Sequence, residues 1–559
     1  MVRLLKYPEK ILGILLNILA LVNFQFFFLG LIKLDETYQD EYTLLCIIVL
    51  VMYLIVRSLR TKFRITNLRD ISPDLMFIGI GLLVAGSYRM FQFYLLGRQT
   101  FMLVRNMALS NYKGKFIDKL YENPPIFVLF SFFLAIFIGA LLLLLPAATV
   151  TGEETSLIGA LFTSTSATCV TGLIVYDTGV HFTFFGQMII LFLIQIGGLG
   201  IMTVSSAFAV MLGQKMTVKS GSLIQNVIGE ESQVNMIRLL KNVVIVTLVF
   251  ELLGTLSLYL TFNQHFESAR YALYCSIFHS ISAFCNAGFS LFSDSFVAYR
   301  TNLNINFVIT SLIILGGIGF PVLVDLRRNF LDRMKLTRLS LHSKIVISST
   351  IILILVGLIC YFTAEYNSVM KGFDLKERFL ASYFQSVTTR TAGFNTIDNS
   401  ALSKGSVLVS VILMFVGASP GSTGGGIKTT AFVVILVSVL AMLKRNKDVN
   451  IFKKRISDDI IKKVMALITA SMSLLFAMVF LLLLIEPFGF EHIFFEAVSA
   501  FGTVGLSMGI TPYLSNIGKL IIITLMYLGR VGPLTLIFAI SEMRSSSHYT
   551  YTEEKVSIG

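Results

Sequence analysis

Charge is scarce in this chain. Only 14% of its 559 residues are Asp, Glu, Lys or Arg, against about 25% in an ordinary soluble domain. With 55% hydrophobic residues and a mean hydropathy of +0.80, that deficit excludes a soluble enzyme and a disordered regulator. Cysteine is scarce as well. Cys46, Cys169, Cys275, Cys285 and Cys360 are widely spaced and odd in number, with no CxxC pair, which excludes a secreted disulfide scaffold and offers no metal framework. The six histidines, His181, His265, His279, His342, His492 and His548, are scattered. Membrane-embedded enzyme chemistry would need clustered His or carboxylates, so no enzyme is expected. The little charge present leans one way, 45 Lys and Arg against 32 Asp and Glu, for a net +13.

Long apolar runs are abundant. They lie near 11–32, 43–57, 125–147, 187–212, 240–263, 306–325, 344–365, 407–443, 464–485 and 516–541, most near the twenty or so residues that cross a bilayer. The first exceeds a signal-peptide core and lacks a small-residue cleavage site, so it reads as a retained helix. A weaker run, 74–97, contains Arg89. Were it to cross fully, the basic stretch 98–119 would lie outside and invert everything after it, so it is predicted to be interfacial or re-entrant. The fold class is an all-α polytopic membrane protein.

From residue 125 onward one pattern recurs: a long apolar run, a short semi-polar helix, a Gly loop and a second long run. The loops align as Ser166-Ala-Thr-Cys-Val-Thr-Gly172-Leu173, Ser282-Ala-Phe-Cys-Asn-Ala-Gly288-Phe289, Val387-Thr-Thr-Arg-Thr-Ala-Gly393-Phe394 and Ser499-Ala-Phe-Gly-Thr-Val-Gly505-Leu506, with glycines 116, 105 and 112 residues apart. The predicted organisation is N-terminal extra membrane helices over 1–120, then repeats over 121–215, 216–330, 331–445 and 446–559 around a central pore. The repeats are joined by basic linkers, one carrying Arg327, Arg328, Arg333, Lys335, Arg338 and Lys344, the next Lys444, Arg445, Lys447, Lys453, Lys454, Arg455, Lys462 and Lys463. Such linkers stay cytoplasmic, which puts the Gly loops toward the outside.

Unpaired backbone survives at membrane depth only when it is buried in protein or lines a wet cavity. Four Gly loops there predict a pore lined by carbonyl oxygens that replace a cation's hydration shell. The short helices, about twelve residues each, would aim the negative ends of their dipoles at the axis. The loops hold no carboxylate ring, which argues against a divalent-cation filter. The second long run of repeat three is interrupted by Gly417-Ala-Ser-Pro-Gly-Ser-Thr-Gly-Gly-Gly-Ile-Lys428. Glycine at this density, with a proline, cannot sustain a buried helix, so an irregular loop beneath the filter is expected. No strand precedes it and Lys428 falls outside the GxxxxGK[ST] frame, so it is not a nucleotide site.

Over about residues 120–559 the chain resembles the Trk/Ktr/HKT family of cation transporters, bacterial potassium-uptake pore subunits among them. The resemblance is carried by Thr389-Arg390-Thr391-Ala392-Gly393-Phe394-Asn395, the fourth loop, the Gly-rich run and the C-terminal Tyr551-Thr-Glu-Glu-Lys-Val-Ser-Ile-Gly559. It implies potassium coordination by Val170, Thr171 and Gly172, by Asn286, Ala287 and Gly288, by Thr391, Ala392 and Gly393, and by Thr503, Val504 and Gly505. Sodium-preferring members can carry Ser at the first filter glycine, so Gly172 implies potassium. The Gly421-Ser422-Thr423-Gly424-Gly425-Gly426 segment would be an intramembrane gate. The resemblance further implies a homodimer on a cytosolic nucleotide-binding regulatory ring, in the plasma (inner) membrane of a bacterium. Potassium would be the permeant ion, with sodium a coupling ion in the alternative reading of a sodium-coupled or less selective transporter. Neither an organic cofactor nor a nucleic acid is expected, and the remaining partner is membrane lipid.

Ionisable residues inside spans are functional or paired. Arg530 reads either as a positive barrier acting with the gate loop or as a structural tie to carbonyls. Arg390, within a pore loop, is expected to point behind the filter and support it, through Glu496. Glu251 is read as an interhelical hydrogen bond rather than a coupling-ion site, His279 as structural, and Cys169 and Cys285 as small packing residues. An organic-solute secondary transporter would show broken helices in paired halves, whereas the sequence suggests fourfold loops and one broken helix.

Overall fold

A computed structural model describes residues 49, 52, 124–150, 155–199, 236–331 and 339–532. The chain divides into two units, Met1–Asp118 and Lys119–Gly559. In the first, Val49 and Met52 are described and both are helical. The other expectations for 11–32, 43–57, 74–97 and 98–119, and the C-terminal motif, lie outside the described residues.

Among the described residues of the second unit, fourteen helices of twelve residues or more follow one another: α1 Pro124–Leu143, α2 Leu157–Thr168, α3 Phe184–Gly198, α4 Met236–His265, α5 Ala269–Phe284, α6 Leu303–Gly317, α7 Phe320–Leu331, α8 Leu341–Ala364, α9 Leu375–Thr388, α10 Lys404–Phe415, α11 Thr429–Leu443, α12 Asp458–Ile485, α13 Phe490–Gly502 and α14 Asn516–Val531. A long helix (α1, α4, α8, α12) thus precedes a shorter one of 12 to 16 residues (α2, α5, α9, α13) each time. Polar caps start these elements. Ser156 and Ser268 accept amides at the heads of α2 and α5, and Thr183, Asn302, Ser403 and Ser515 do so for α3, α6, α10 and α14, each such cap being worth about 1 kcal/mol.

Among the described residues, three single helices are long and apolar enough to cross a membrane, Asn242–His265, Leu341–Ala364 and Asp458–Ile485. Their outward residues, such as Leu252, Ile352 and Leu484, are more than half exposed, as a lipid-facing surface requires. The single span expected at 306–325 is instead the pair α6 and α7, bent by 99°. Gly319 takes φ +93° at the corner, Pro321 follows, and the Phe320 amide donates to the Gly421 carbonyl at 2.9 Å. Both the second and third repeats therefore have a broken second helix, where sequence had suggested one.

The repeat is also written in its packing. Ser164, Ser280 and Ser386 on α2, α5 and α9 each donate at 2.7 Å to a carbonyl of the preceding long helix, at Ile136, Glu251 and Ile354. In the fourth repeat Ala497 is fully buried and contributes only packing. Two apolar clusters form the interior. One draws mainly on α3–α7 and reaches Phe384 and Phe394; the other draws on α10–α14 and reaches Phe162 and Leu173 of repeat one. The linker before α12 is a small antiparallel hairpin, Asn450–Ile451 on Lys454–Arg455, turning through Phe452 and Lys453 at positive φ in the sense that matches strand twist.

Glu365, just past α8, ties the end of α8 to the start of α10 in repeat three. Its Oε1 accepts the Ser403 amide and hydroxyl at 2.9 and 2.6 Å, and Oε2 the Val369 amide at 3.3 Å. Glu486 repeats the arrangement on Ser515. Burial works against the charged Glu365 carboxyl, but these hydrogen bonds outweigh it and hold its pKa below the usual glutamate range. A carboxylate depressed by folding stabilises above its ordinary pKa, near about 4.3, and that contribution is lost as pH falls through the lower folded value. Detergent-purified protein melted between pH 6 and pH 3.5 should therefore lose Tm faster than Glu365→Gln below about pH 4.5. Parallel curves for the two would contradict this.

Candidate pore site

Each of the four aligned loops bends its backbone in the same unusual way. The residue two before the glycine has positive φ in every case: Val170 at 58°, Asn286 at 59°, Thr391 at 70° and Thr503 at 49°. The glycines follow at 91°, 70°, 82° and 89°. Asn tolerates this region, but Val and Thr, β-branched, are outliers there, at roughly 1–3 kcal/mol each. The intervening Thr171, Ala287, Ala392 and Val504 keep negative φ. Alternating signs over three residues let successive carbonyls face one way, which an ordinary helix end would not.

The loops meet in chain order and close a ring. A Cβ added to Gly172 would stand 2.5 Å from the Ala287 carbonyl oxygen, one on Gly288 2.7 Å from that of Ala392, and one on Gly393 2.6 Å from that of Val504. Gly505 completes the circle against the Thr171 carbonyl. All twelve predicted residues sit in this ring, eleven buried and Gly288 half-buried. They present backbone oxygens, hydroxyls and one carboxamide, with no carboxylate.

Hydroxyls on the short helices support the ring, a feature the sequence reading missed. Ser166 and Ser499 accept the Gly172 and Gly505 amides at 3.1 Å. Ser282 donates to the Phe289 carbonyl at 2.8 Å and Thr388 to that of Phe394 at 2.7 Å. The signal was present: three of the four aligned segments begin on that serine. In repeat three valine holds its place and the support moves one residue on. There the Ala392 amide bonds four residues back to Thr388, where Thr171, Ala287 and Val504 bond five back.

Arg390 and Glu496 are not joined. Arg390 lies behind the third loop, 8% exposed, and donates to the Thr350 carbonyl of α8 at 3.5 Å. Its Nε and the Thr350 hydroxyl are buried without partners beside a cavity of about 10 Å³, room for one water. Glu496 instead accepts from the Thr511 hydroxyl beyond the fourth loop, so each of the two finds its partner within its own repeat. Glu251 accepts from Gln195 of α3 at 3.3 Å. Both His279 nitrogens are engaged, on the Cys275 carbonyl and Ser290, and Cys169 and Cys285 are buried.

Between α10 and α11 the chain leaves helix geometry over 416–428, as the glycines and Pro420 predict. Several of its hydrogen bonds run to other repeats. The Ser419 and Thr423 amides donate to the Gly317 and Gly316 carbonyls at 3.0 and 3.2 Å, the Thr423 hydroxyl to the Phe284 carbonyl at 3.2 Å, and the Gly425 amide to the Thr503 hydroxyl at 3.0 Å. Arg530, 8% exposed on α14, donates to the Thr423 carbonyl of this loop and to the Gly197 carbonyl of α3. Lys428, outside any nucleotide-binding frame, donates to the Gly424 carbonyl at 2.7 Å. Two cations thus hold carbonyls of one loop directly beside the ring.

The TrkH family, described as "Cation transport protein", matches residues 129–550. The chain is 41% identical over 437 residues to Ktr system potassium uptake protein B of Bacillus subtilis, an alignment covering 78% of this chain and 97% of that one. It is 37% identical to the potassium/sodium uptake protein NtpJ of Enterococcus hirae, covering 78% and 97%. Among solved structures, the potassium transporter TrkH from Vibrio parahaemolyticus superposes with a TM-score of 0.63 at 17% identity, covering 84% of this chain and 96% of that one. At that identity the likeness speaks for the fold.

Proposed function

Because the chain belongs to the TrkH family of cation transport proteins, a multi-pass membrane family, we propose that it takes up potassium through the four-loop ring, which serves as its selectivity filter. The observation that carries this is the fourfold repetition of positive φ at Val170, Asn286, Thr391 and Thr503 together with the ring closed by the glycines. Strain repeated at four equivalent positions persists only where surrounding contacts over-determine it, and carbonyl cages are how monovalent cations are selected. Relatives named for potassium uptake support the choice of ion. The segment from Gly421 to Gly426 acts as a gate beneath the filter, with Arg530 both its barrier and its tie, since the two readings of Arg530 merge once its partner is the gate's own carbonyl. Glu251, already bonded to Gln195, is left to packing rather than coupling.

The protein works as a homodimer on a cytosolic nucleotide-binding ring in a bacterial plasma membrane, with the basic linker hairpin around Lys453 and Lys454 as docking surface. Sodium enters as a coupling ion only in the alternative reading, for which the NtpJ name is the support. A membrane enzyme finds no support in a family of transporters.

Rubidium and sodium influx into proteoliposomes, measured with and without Gly172→Ser, tests the filter. The unmodified protein should prefer rubidium, and the serine, strained at φ +91° and pressed on the Ala287 carbonyl, should cut that preference by about tenfold or more. Equal passage of the two ions through the unmodified protein would refute potassium selectivity.

A further inference from the structure

The loop over 416–428 touches two of the four left-handed residues, Thr503 and Thr391, through their side chains. The Gly425 amide donates to the Thr503 hydroxyl at 3.0 Å. A Cβ at Gly424 would run into the Thr391 hydroxyl, and that hydroxyl donates in turn to the Asn286 carboxamide at 3.3 Å, whose nitrogen is satisfied by the Ala283 and Ile313 carbonyls. Thr423 bonds to the Phe284 carbonyl, two residues before Asn286. Repeat one is reached through Arg530, which spans from Thr423 to Gly197. A displacement of this loop therefore cannot leave the adjoining ring untouched.

We infer that Thr503 is a positioning residue through which the gate loop sets the geometry, and hence the ion preference, of the adjoining filter ring, a role that rests on the pore reading proposed above. With the loop in place, the Gly425 amide holds the Thr503 side chain and helps maintain its backbone at φ +49°. When the loop moves, that acceptor is released and the Thr503 carbonyl is free to relax. Ion preference then differs between the two gate states. Loop one supplies the control within the molecule: Val170 holds the same backbone shape, φ 58°, with no hydroxyl, so a valine is compatible with it.

The test is Thr503→Val beside Thr503→Ser in proteoliposomes, reading rubidium and sodium influx separately. Valine should raise the sodium-to-rubidium ratio about three- to tenfold, the loss of one hydrogen bond, and serine, which keeps the hydroxyl, should shift it by less than valine does. Removing Gly421–Gly425 should produce the same shift, and adding Thr503→Val to that deletion should change nothing further. If valine altered total flux at a constant ratio, or if its effect added to the deletion's, the coupling would be refuted. Should Thr503→Val not fold, Thr423→Val, which removes the neighbouring tie to Phe284, is read by the same ratio. Loss of the Gly172→Ser effect would instead overturn the filter itself, so the two failures are distinguishable.

Discussion

Gly505→Ala should reduce rubidium uptake by about a hundredfold while leaving the protein folded and membrane-inserted, an effect equivalent to about 3 kcal/mol. Gly505 has φ +89°, and any Cβ there falls on the Thr171 carbonyl oxygen. Neither strain can be relieved alone. Rotating residue 505 toward negative φ turns its peptide plane, and with it the carbonyl at Val504 that packs against Gly393. Pushing Thr171 away disturbs Gly172, whose own neighbour is Ala287. Because the four loops form a closed ring, one methyl group is transmitted to every member, and each contributes to the proposed ion cage. The matched control is Gly405→Ala, in α10, where a Cβ meets open space. Isotope uptake normalised to inserted protein, with thermal stability recorded in parallel, checks the result. Near-normal uptake in Gly505→Ala would remove the ring from the conduction path.

The second large effect has the opposite sign. Deleting Gly421–Gly425 should raise flux and weaken regulation, and Arg530→Gln should do so by a smaller factor. Arg530 makes two charge-assisted bonds to carbonyls of different repeats, each worth roughly 1.5–3 kcal/mol. Only the bond to Thr423 holds the loop, so its loss shifts a closed-to-open equilibrium by about tenfold or more, up to the point where the open form dominates. The deletion also removes the loop's bonds at Gly316, Phe284 and Thr503, and flux should then be limited by the filter alone. Unchanged flux in liposomes for both variants would remove the gate assignment.

Much of this architecture was legible in the sequence because its determinants are local. Apolar length marks the spans α4, α8 and α12. Glycine and proline density marks the break at 416–428. The glycine alignment found all four loops, since a backbone that needs positive φ restricts residue choice wherever it occurs. The bend between α6 and α7 was not read from hydropathy, because an apolar run has the same composition straight or bent; Gly319 and Pro321 were the local clue. The supporting serines were in view at the head of three loops, but their bonds run backward from loop to helix and leave no mark on periodicity.

Charge partners are a different matter. Arg390 and Glu496 lie in the loop of one repeat and the short helix of the next, which invited a pair, yet each is held within its own repeat by Thr350 and Thr511. Arg530 could be recognised as exceptional from its place in an apolar run, but its partners lie 107 and 333 residues away. Composition, spacing and glycine chemistry thus marked four repeated units, each with a loop of the proposed pore, because each depends on only a few neighbouring residues. Which loop abuts which, where the buried cations anchor and how the loop over 416–428 reaches Thr503 depend on surfaces brought together from distant parts of the chain, and that geometry exists only once the repeats have closed into a ring.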